Sequence, residues 1–292
     1  MLFTGKNLFL PPLFWLVLLL WNPLSAQQIP DALLWKVSGK NLSQPSYLYG
    51  TLHAICLEDL KLKENALRAL NQTNRLVLEL DVTEEEFPAK MQQAMLMKGQ
   101  TRLQDLLPRG DYQLMARYFQ DSIGISLADY AQMQPIFLAT FLYNELLDCT
   151  TQSYEMQLSR MARLNKKEVE GLETFEEQMR VFGNISYREQ AEMLLQSIVE
   201  YPELEAAYWN MIVSYKNEDL NSLYHIIRDI QLGMQDYEEV MINGRNQRWI
   251  PRMEQMAREE PSFFAVGAAH LPGNKGLIAL LKRRGYEVEP VF

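Results

Sequence analysis

The same phrase closes two strand-like runs at opposite ends of this 292-residue chain. SYLYGTLH ends at His53 and SFFAVGAAH ends at His270, so each apolar run finishes in Gly-x-x-His. The sequence holds only three histidines, and two of them occupy this position. In each case helical spacing follows the phrase and a second strand-like run follows the helix. Two copies of a β-α-β unit predict a mostly parallel sheet, in which ligands gather at the carboxyl ends of the strands. Both histidines fall at that end.

In the first copy, LLWKVSG and SYLYGTL are strands separated by the turn-rich KNLSQPS. LKLKENALRALNQT carries Leu60, Leu62, Ala66, Leu67 and Leu70 at helical spacing, and RLVLELDV is a further strand. In the second copy, GNKGLIALLKRRG predicts a helix ended by Gly285, and YEVEPV a closing strand. Between the copies the periodicity is almost wholly helical, apart from KKEVEGLET, a short β-like run that returns the chain to the sheet. The expected fold is therefore α/β: a mostly parallel central sheet built from two related halves, residues 33–82 and 262–292. A large helical insertion, residues 83–260, lies between them, with a short strand near 167–171. Residues 27–292 read as one domain. The methionines read as filler of the helical core, and His225, inside LYHIIRD, as structural.

Residues 1–26 are set apart from this fold. They carry one cation, Lys6, then an apolar run from Leu13 to Trp21, then the small residues Ser25 and Ala26. That order predicts a cleaved signal peptide and an exported, periplasmic or secreted product, with an uncleaved anchor as the alternative. No later run is long enough to span a membrane. The net charge of −9 argues against nucleic-acid or anionic-lipid partners. The two cysteines, Cys56 and Cys149, predict a disulfide in an oxidising compartment. A nucleophilic Cys56 near His53 is the sharper alternative, and nothing else in the sequence supports it.

Glu79 interrupts the apolar run RLVLELDV. Alternation sets Leu76, Leu78 and Leu80 on one face and Val77, Glu79 and Asp81 on the other. Either this is an edge strand with Glu79 in water, or Glu79 is buried against a cation, a metal or donors; the short crossover from the His53 strand favours the second. Two histidines and a carboxylate suit a divalent transition metal with open positions for water and substrate. Gly50 and Gly267 would let the backbone turn or approach a ligand closely. Two polar clusters, Glu173 in GLETFEEQ and Arg245, Asn246, Arg248 and Trp249 in GRNQRW, read from residue type alone as a helix start and a solvated basic break between helices. H-E-x-x-H, G-x-S-x-G, P-loop and C-x-x-C patterns are all missing.

Taken together, LLWKVSG…SYLYGTLHAIC, LVLELDV, GLETFEEQ, GRNQRW and FFAVGAAHLPGNKGLIALLKRRGYEV resemble the TraB/PrgY/GumN family, related to the Tiki proteases, from about Leu33 to Val291. The resemblance implies an active centre made of the paired phrases, Gly50 with His53 and Gly267 with His270, and of Glu79. Glu173, Arg245 and Asn246 match further polar signatures. It also implies a divalent metal, manganese or cobalt, with zinc admitted by the ligand chemistry, and peptide or protein substrates. On this reading the chain is an exported metal-dependent hydrolase, foremost a peptidase. His53 and His270 would hold the metal, and Glu79 would be a third ligand or the base. Glu173 and Asn246 would orient ligands or water, and Arg245 would stabilise an oxyanion or bind a substrate carboxylate. The alternatives are a non-catalytic protein that sequesters peptide or metal, and a hydrolase of a non-peptide ester.

Overall fold

The computed structural model describes residues 29–230 and 237–292, so the expected leader, residues 1–26, lies outside the described residues. In chain order the strands are β1 (Leu34–Ser38), β2 (Ser46–Thr51), β3 (Ile55–Cys56), β4 (Arg75–Leu78), β5 (Thr151–Gln152), β6 (Glu168–Gly171), β7 (Ser262–Gly267) and β8 (Glu287–Pro290). The helices are α1 (Glu64–Gln72), α2 (Phe87–Ala94), α3 (Arg109–Tyr118), α4 (Pro135–Leu147), α5 (Tyr154–Leu164), α6 (Phe175–Phe182), α7 (Tyr187–Val199), α8 (Tyr201–Lys216), α9 (Leu220–Ile230), α10 (Gly244–Glu259) and α11 (Leu277–Arg283).

Six strands form one sheet in the order β6-β4-β7-β2-β1-β8. Five of them, β6, β4, β7, β2 and β8, point the same way, the first four as a contiguous parallel set. β1 is antiparallel to β2, and β8 to β1. The two Gly-x-x-His strands are therefore neighbours at the centre, with Gly50 opposite Val266 and Thr51 opposite Gly267. From this pair the chain departs in opposite directions. β2 leads through α1 to β4 on one side, and β7 leads through α11 to β8 on the other. Adjacent parallel strands with diverging connections leave a crevice at their carboxyl ends. Both histidines sit at its mouth.

β2 and β7 are buried along their whole length, which is why they read as near-continuous apolar runs. Trp35, Leu48, Leu76, Phe263 and Phe264 form the centre of the core. β4 departs from the alternation read in RLVLELDV. All four of its residues are buried because it lies between β6 and β7, covered on both faces, and it stops at Leu78. Glu79 thus stands one residue past the strand end. KKEVEGLET does return to the sheet, as β6 beside β4, and Gly285 takes the left-handed conformation, φ +92°, just after α11. GRNQRW is not a break, and only Gln247 and Arg248 of it are exposed. It is the beginning of α10, and its spacing of three and four puts Arg245, Asn246 and Trp249 on the buried face with Ile250 and Met253. Among the described residues no helix is long and apolar enough to cross a membrane.

β3 and β5 form a separate two-stranded antiparallel sheet, with Cys56 opposite Thr151. The Cys56–Cys149 disulfide staples it, the two Cα atoms lying 5.7 Å apart across 93 residues of chain. Cys56 is therefore structural and no nucleophile. A cross-link over a loop this long restricts the unfolded chain strongly. Replacing both cysteines by alanine is expected to cost about 2–5 kcal/mol. Urea titrations of the oxidised parent and the double variant measure this, and coincident midpoints would refute it.

Candidate active site

Gly267 closes β7 at the crevice, and the space its missing side chain leaves is where the site converges. A Cβ there would stand 3.2 Å from Glu79 Oε1, 3.5 Å from His53 Nε2 and 3.7 Å from His270 Cδ2. Gly50 serves the closeness of the two phrases differently. A Cβ on it would lie 3.2 Å from Ala268 Cα and from Leu271 Cδ2, so its absence lets the turn after β7 settle onto β2. The three side chains that the sequence singled out as metal ligands are thus brought together around one glycine.

Glu79 is buried. Its Oε1 accepts the Gly267 N–H at 2.8 Å, and its Oε2 pairs with Arg245 Nη2. Burial alone would raise the carboxyl's pKa, but Arg245, the two histidines and the Gly267 amide outweigh it and hold Glu79 well below the usual carboxylate range. Arg245 is also buried and shared. Its Nε and Nη2 donate to Glu173 Oε1 at 3.0 and 2.5 Å, and its Nη1 donates to Met241 O at 3.2 Å. Glu173 Oε2 accepts the Trp249 indole N–H at 3.2 Å. Glu173 therefore braces Arg245.

The two histidines differ in setting. His270 is buried, with its ring 4.5 Å from that of Trp249. Its Nδ1 lies 2.6 Å from Asn246 Oδ1, and the Asn246 amide is oriented by donating to His270 O and Lys275 O at 3.2 and 2.9 Å. Arg245 Nη1 donates to His270 Nε2 at 3.3 Å, so the ring proton belongs on Nδ1. Burial, reinforced by Arg245, pushes the His270 pKa down to about 3 and keeps the imidazole neutral. The His53 side chain is 69% exposed, and its Nδ1 lies 3.1 Å from Glu155 Oε1. The Glu155 carboxylate raises the His53 pKa above the ordinary histidine value. His225 takes no part; it is exposed on α9 beside Tyr224.

Among the described residues, no three His, Cys, Asp or Glu side chains already bracket a common ion position. The donor chemistry nevertheless fits a divalent metal. His53 Nε2 and Glu79 Oε1 line the space beside Gly267 with the Cδ2 edge of His270, and His270 Nε2, next to that edge, lies 3.7 Å from Glu79 Oε1, so two nitrogens and an oxygen are within reach of one another. Each imidazole also has its Nδ1 engaged by an oxygen, the usual companion of a metal-ligating histidine. For His270 to serve, its Nε2 lone pair must be released from Arg245.

Glu155 and Thr51 were not apparent as site residues in the sequence. Thr51 Oγ1 donates to Glu155 Oε1 at 2.5 Å. Glu155 follows the helix cap Ser153 and looks like an ordinary first-turn acid. The signal was in the spacing. Glu155, Leu158, Ser159 and Ala162 form one buried stripe of α5, so a carboxylate lies on the apolar face. Arg245 carries the electrostatic load of the site. Arg245→Met leaves Glu79 and Glu173 as buried anions without their shared cation and is expected to cost about 3–5 kcal/mol. Adding Glu173→Gln should recover part of that loss. Urea unfolding at neutral pH measures both, and a neutral R245M would contradict the geometry.

Residues 33–290 match the model of the TraB/PrgY/gumN family. The chain is similar to a protein named Metalloprotease TIKI2 from Danio rerio, at 25% identity over 90% of this chain and 62% of that protein. It is similar to Metalloprotease TIKI1 from Homo sapiens at 23% identity, over 89% of this chain and 62% of that protein. A Metalloprotease TIKI homolog from Amphimedon queenslandica is 22% identical over 88% of this chain and 61% of that protein. The chain thus spans about three fifths of the length of these relatives. No solved structure matches it. With a family model covering both Gly-x-x-His strands and all that lies between them, the chain belongs to the TraB/PrgY/gumN family.

Proposed function

We propose that this protein is an exported metal-dependent hydrolase of peptide bonds. The observation that carries the proposal is the convergence of His53 Nε2, His270 and Glu79 Oε1 on the space beside Gly267, at the carboxyl ends of adjacent parallel strands. The metalloprotease names of the relatives support the reaction class. The leader-like order of residues 1–26 and the Cys56–Cys149 disulfide support export.

His53, His270 and Glu79 would hold the ion, with manganese, cobalt and zinc all compatible with nitrogen and carboxylate donors. A divalent ion supplies a water of lowered pKa and polarises a carbonyl oxygen. The remaining work falls to the protein. Asn246 engages His270 Nδ1 and so leaves Nε2 as the nitrogen with a lone pair. Glu79, held anionic by Arg245, is a poor proton acceptor and a good anionic ligand, which favours ligand over base for this residue. Arg245, released from His270, would present Nη1 to a developing oxyanion or a substrate carboxylate. A cleft of about 410 Å³ lined by Leu80, Asp81, Phe87, Glu173 and Phe175, residues just after Glu79 and around the Arg245 partner Glu173, would be the room for substrate.

The test uses disulfide-bonded protein stripped with chelator and reloaded separately with manganese, cobalt or zinc, then incubated with a peptide library. Cleavage is expected only after reloading, and His53→Ala and His270→Ala should each reduce it to background. Metal-loaded protein that binds peptides but leaves them intact would sink the hydrolase reading in favour of sequestration.

A further inference from the structure

His53 poses a problem that His270 does not. His270 is clamped by Trp249 and Asn246, whereas the His53 ring is mostly exposed and has little packing to choose its rotamer. Its Nδ1 meets Glu155, which is itself buried. Thr51 Oγ1 donates to the same Glu155 oxygen that meets His53 Nδ1. The other oxygen, Oε2, has no hydrogen-bond partner among the described residues. A buried carboxylate with one unsatisfied oxygen is costly, and on a stripe shared with Leu158 and Ala162 an apolar residue would pack more cheaply. What the carboxylate gains is the hold on His53.

The surroundings are built to keep that hold. Glu155 is the second residue of α5, three residues after β5, and His53 precedes β3 by two. The β3–β5 pairing and the Cys56–Cys149 bridge therefore fasten together the two segments that carry them. We propose that Glu155 is a positioning residue for His53: it keeps the ring proton on Nδ1 and turns Nε2 toward the cradle beside Gly267, with Thr51 and the stapled β3–β5 sheet holding Glu155 in place. Oriented this way, a carboxylate behind an imidazole also strengthens it as a donor to a metal. The inference rests on the reading of His53 as a metal ligand.

The experiment has two arms on disulfide-bonded protein. In the metal-free arm, long-range proton–nitrogen NMR spectra of wild type, E155A and E155Q report the ring of His53. Only three imidazoles are present, and His225→Gln and His53→Asn assign them. The wild type is expected to show a hydrogen-bonded Nδ1 proton that is lost in E155A and weakened in the isosteric E155Q. In the metal arm, competition with a chromogenic chelator for manganese, cobalt or zinc should show about 10–100-fold weaker binding for E155A and E155Q. Thermal unfolding of the metal-free E155Q variant verifies that it is folded. A His53 signature unchanged in both variants overturns the assignment, as does unchanged metal affinity in variants of a metal-binding wild type. If the wild type binds none of the three metals, the metal reading fails, and the metal-free spectra alone decide whether Glu155 positions His53.

Discussion

Arg245 is the interaction on which the site depends. Glu79 and Glu173 are both buried, and buried carboxylates without a counter-charge are strongly unfavourable. One guanidinium serves both, because its planar fork offers several donors at fixed angles where an ammonium would offer a single centre. The Gly267 amide and the Trp249 indole complete the coordination of the two carboxylates. These groups come from the ends of β4, β6 and β7 and from the first turns of α10, so the network is also a joint between elements far apart in sequence. Because Arg245 also donates to His270 Nε2, the electrostatics that stabilise the fold also occupy the nitrogen that a ligand would need.

The sheet order explains why two copies of a short phrase make one site. Placed side by side, β2 and β7 present both phrases at the same edge, and their connections depart in opposite directions. The copies are not equivalent, however. Gly50 is needed for backbone packing against Ala268 and Leu271, whereas the vacancy at Gly267 opens directly among the polar groups. Similar words at the two strand ends thus do different physical jobs.

Much of this was legible in the sequence, and the parts that were not share a cause. The strands, the return of KKEVEGLET to the sheet and the burial of Glu79 all follow from local patterns that tertiary packing reinforces. GRNQRW read as solvated because arginine and asparagine are normally surface residues. Its burial depends on Glu79 and Glu173, each supplied by a strand end more than seventy residues away. RLVLELDV suggested two faces of different character, yet strands on both sides and cover on both faces erased the difference. Glu155 was hidden by a competing local explanation, since an acid in a first helical turn is favourable on its own account. Its position on an apolar stripe was the better guide.

The contrast between the histidines follows from what holds each backbone. After β7 the turn carrying His270 is largely buried and its ring packs against Trp249, so side chain and backbone are fixed together. Around His53 the backbone is fixed while the side chain is not. Tyr215 donates to Gly50 O at 2.9 Å just before it, Tyr208 donates to Ala54 O at 3.3 Å just after it, and the disulfide follows at Cys56. Freedom is thereby confined to two side-chain torsions, the number that a single directional hydrogen bond can restrict. Under the proposed function, a wall that is rigid at the backbone yet open to solvent at the ring would let a large substrate approach without loosening the cradle. The cost of that openness is that orientation falls to one buried carboxylate rather than to packing.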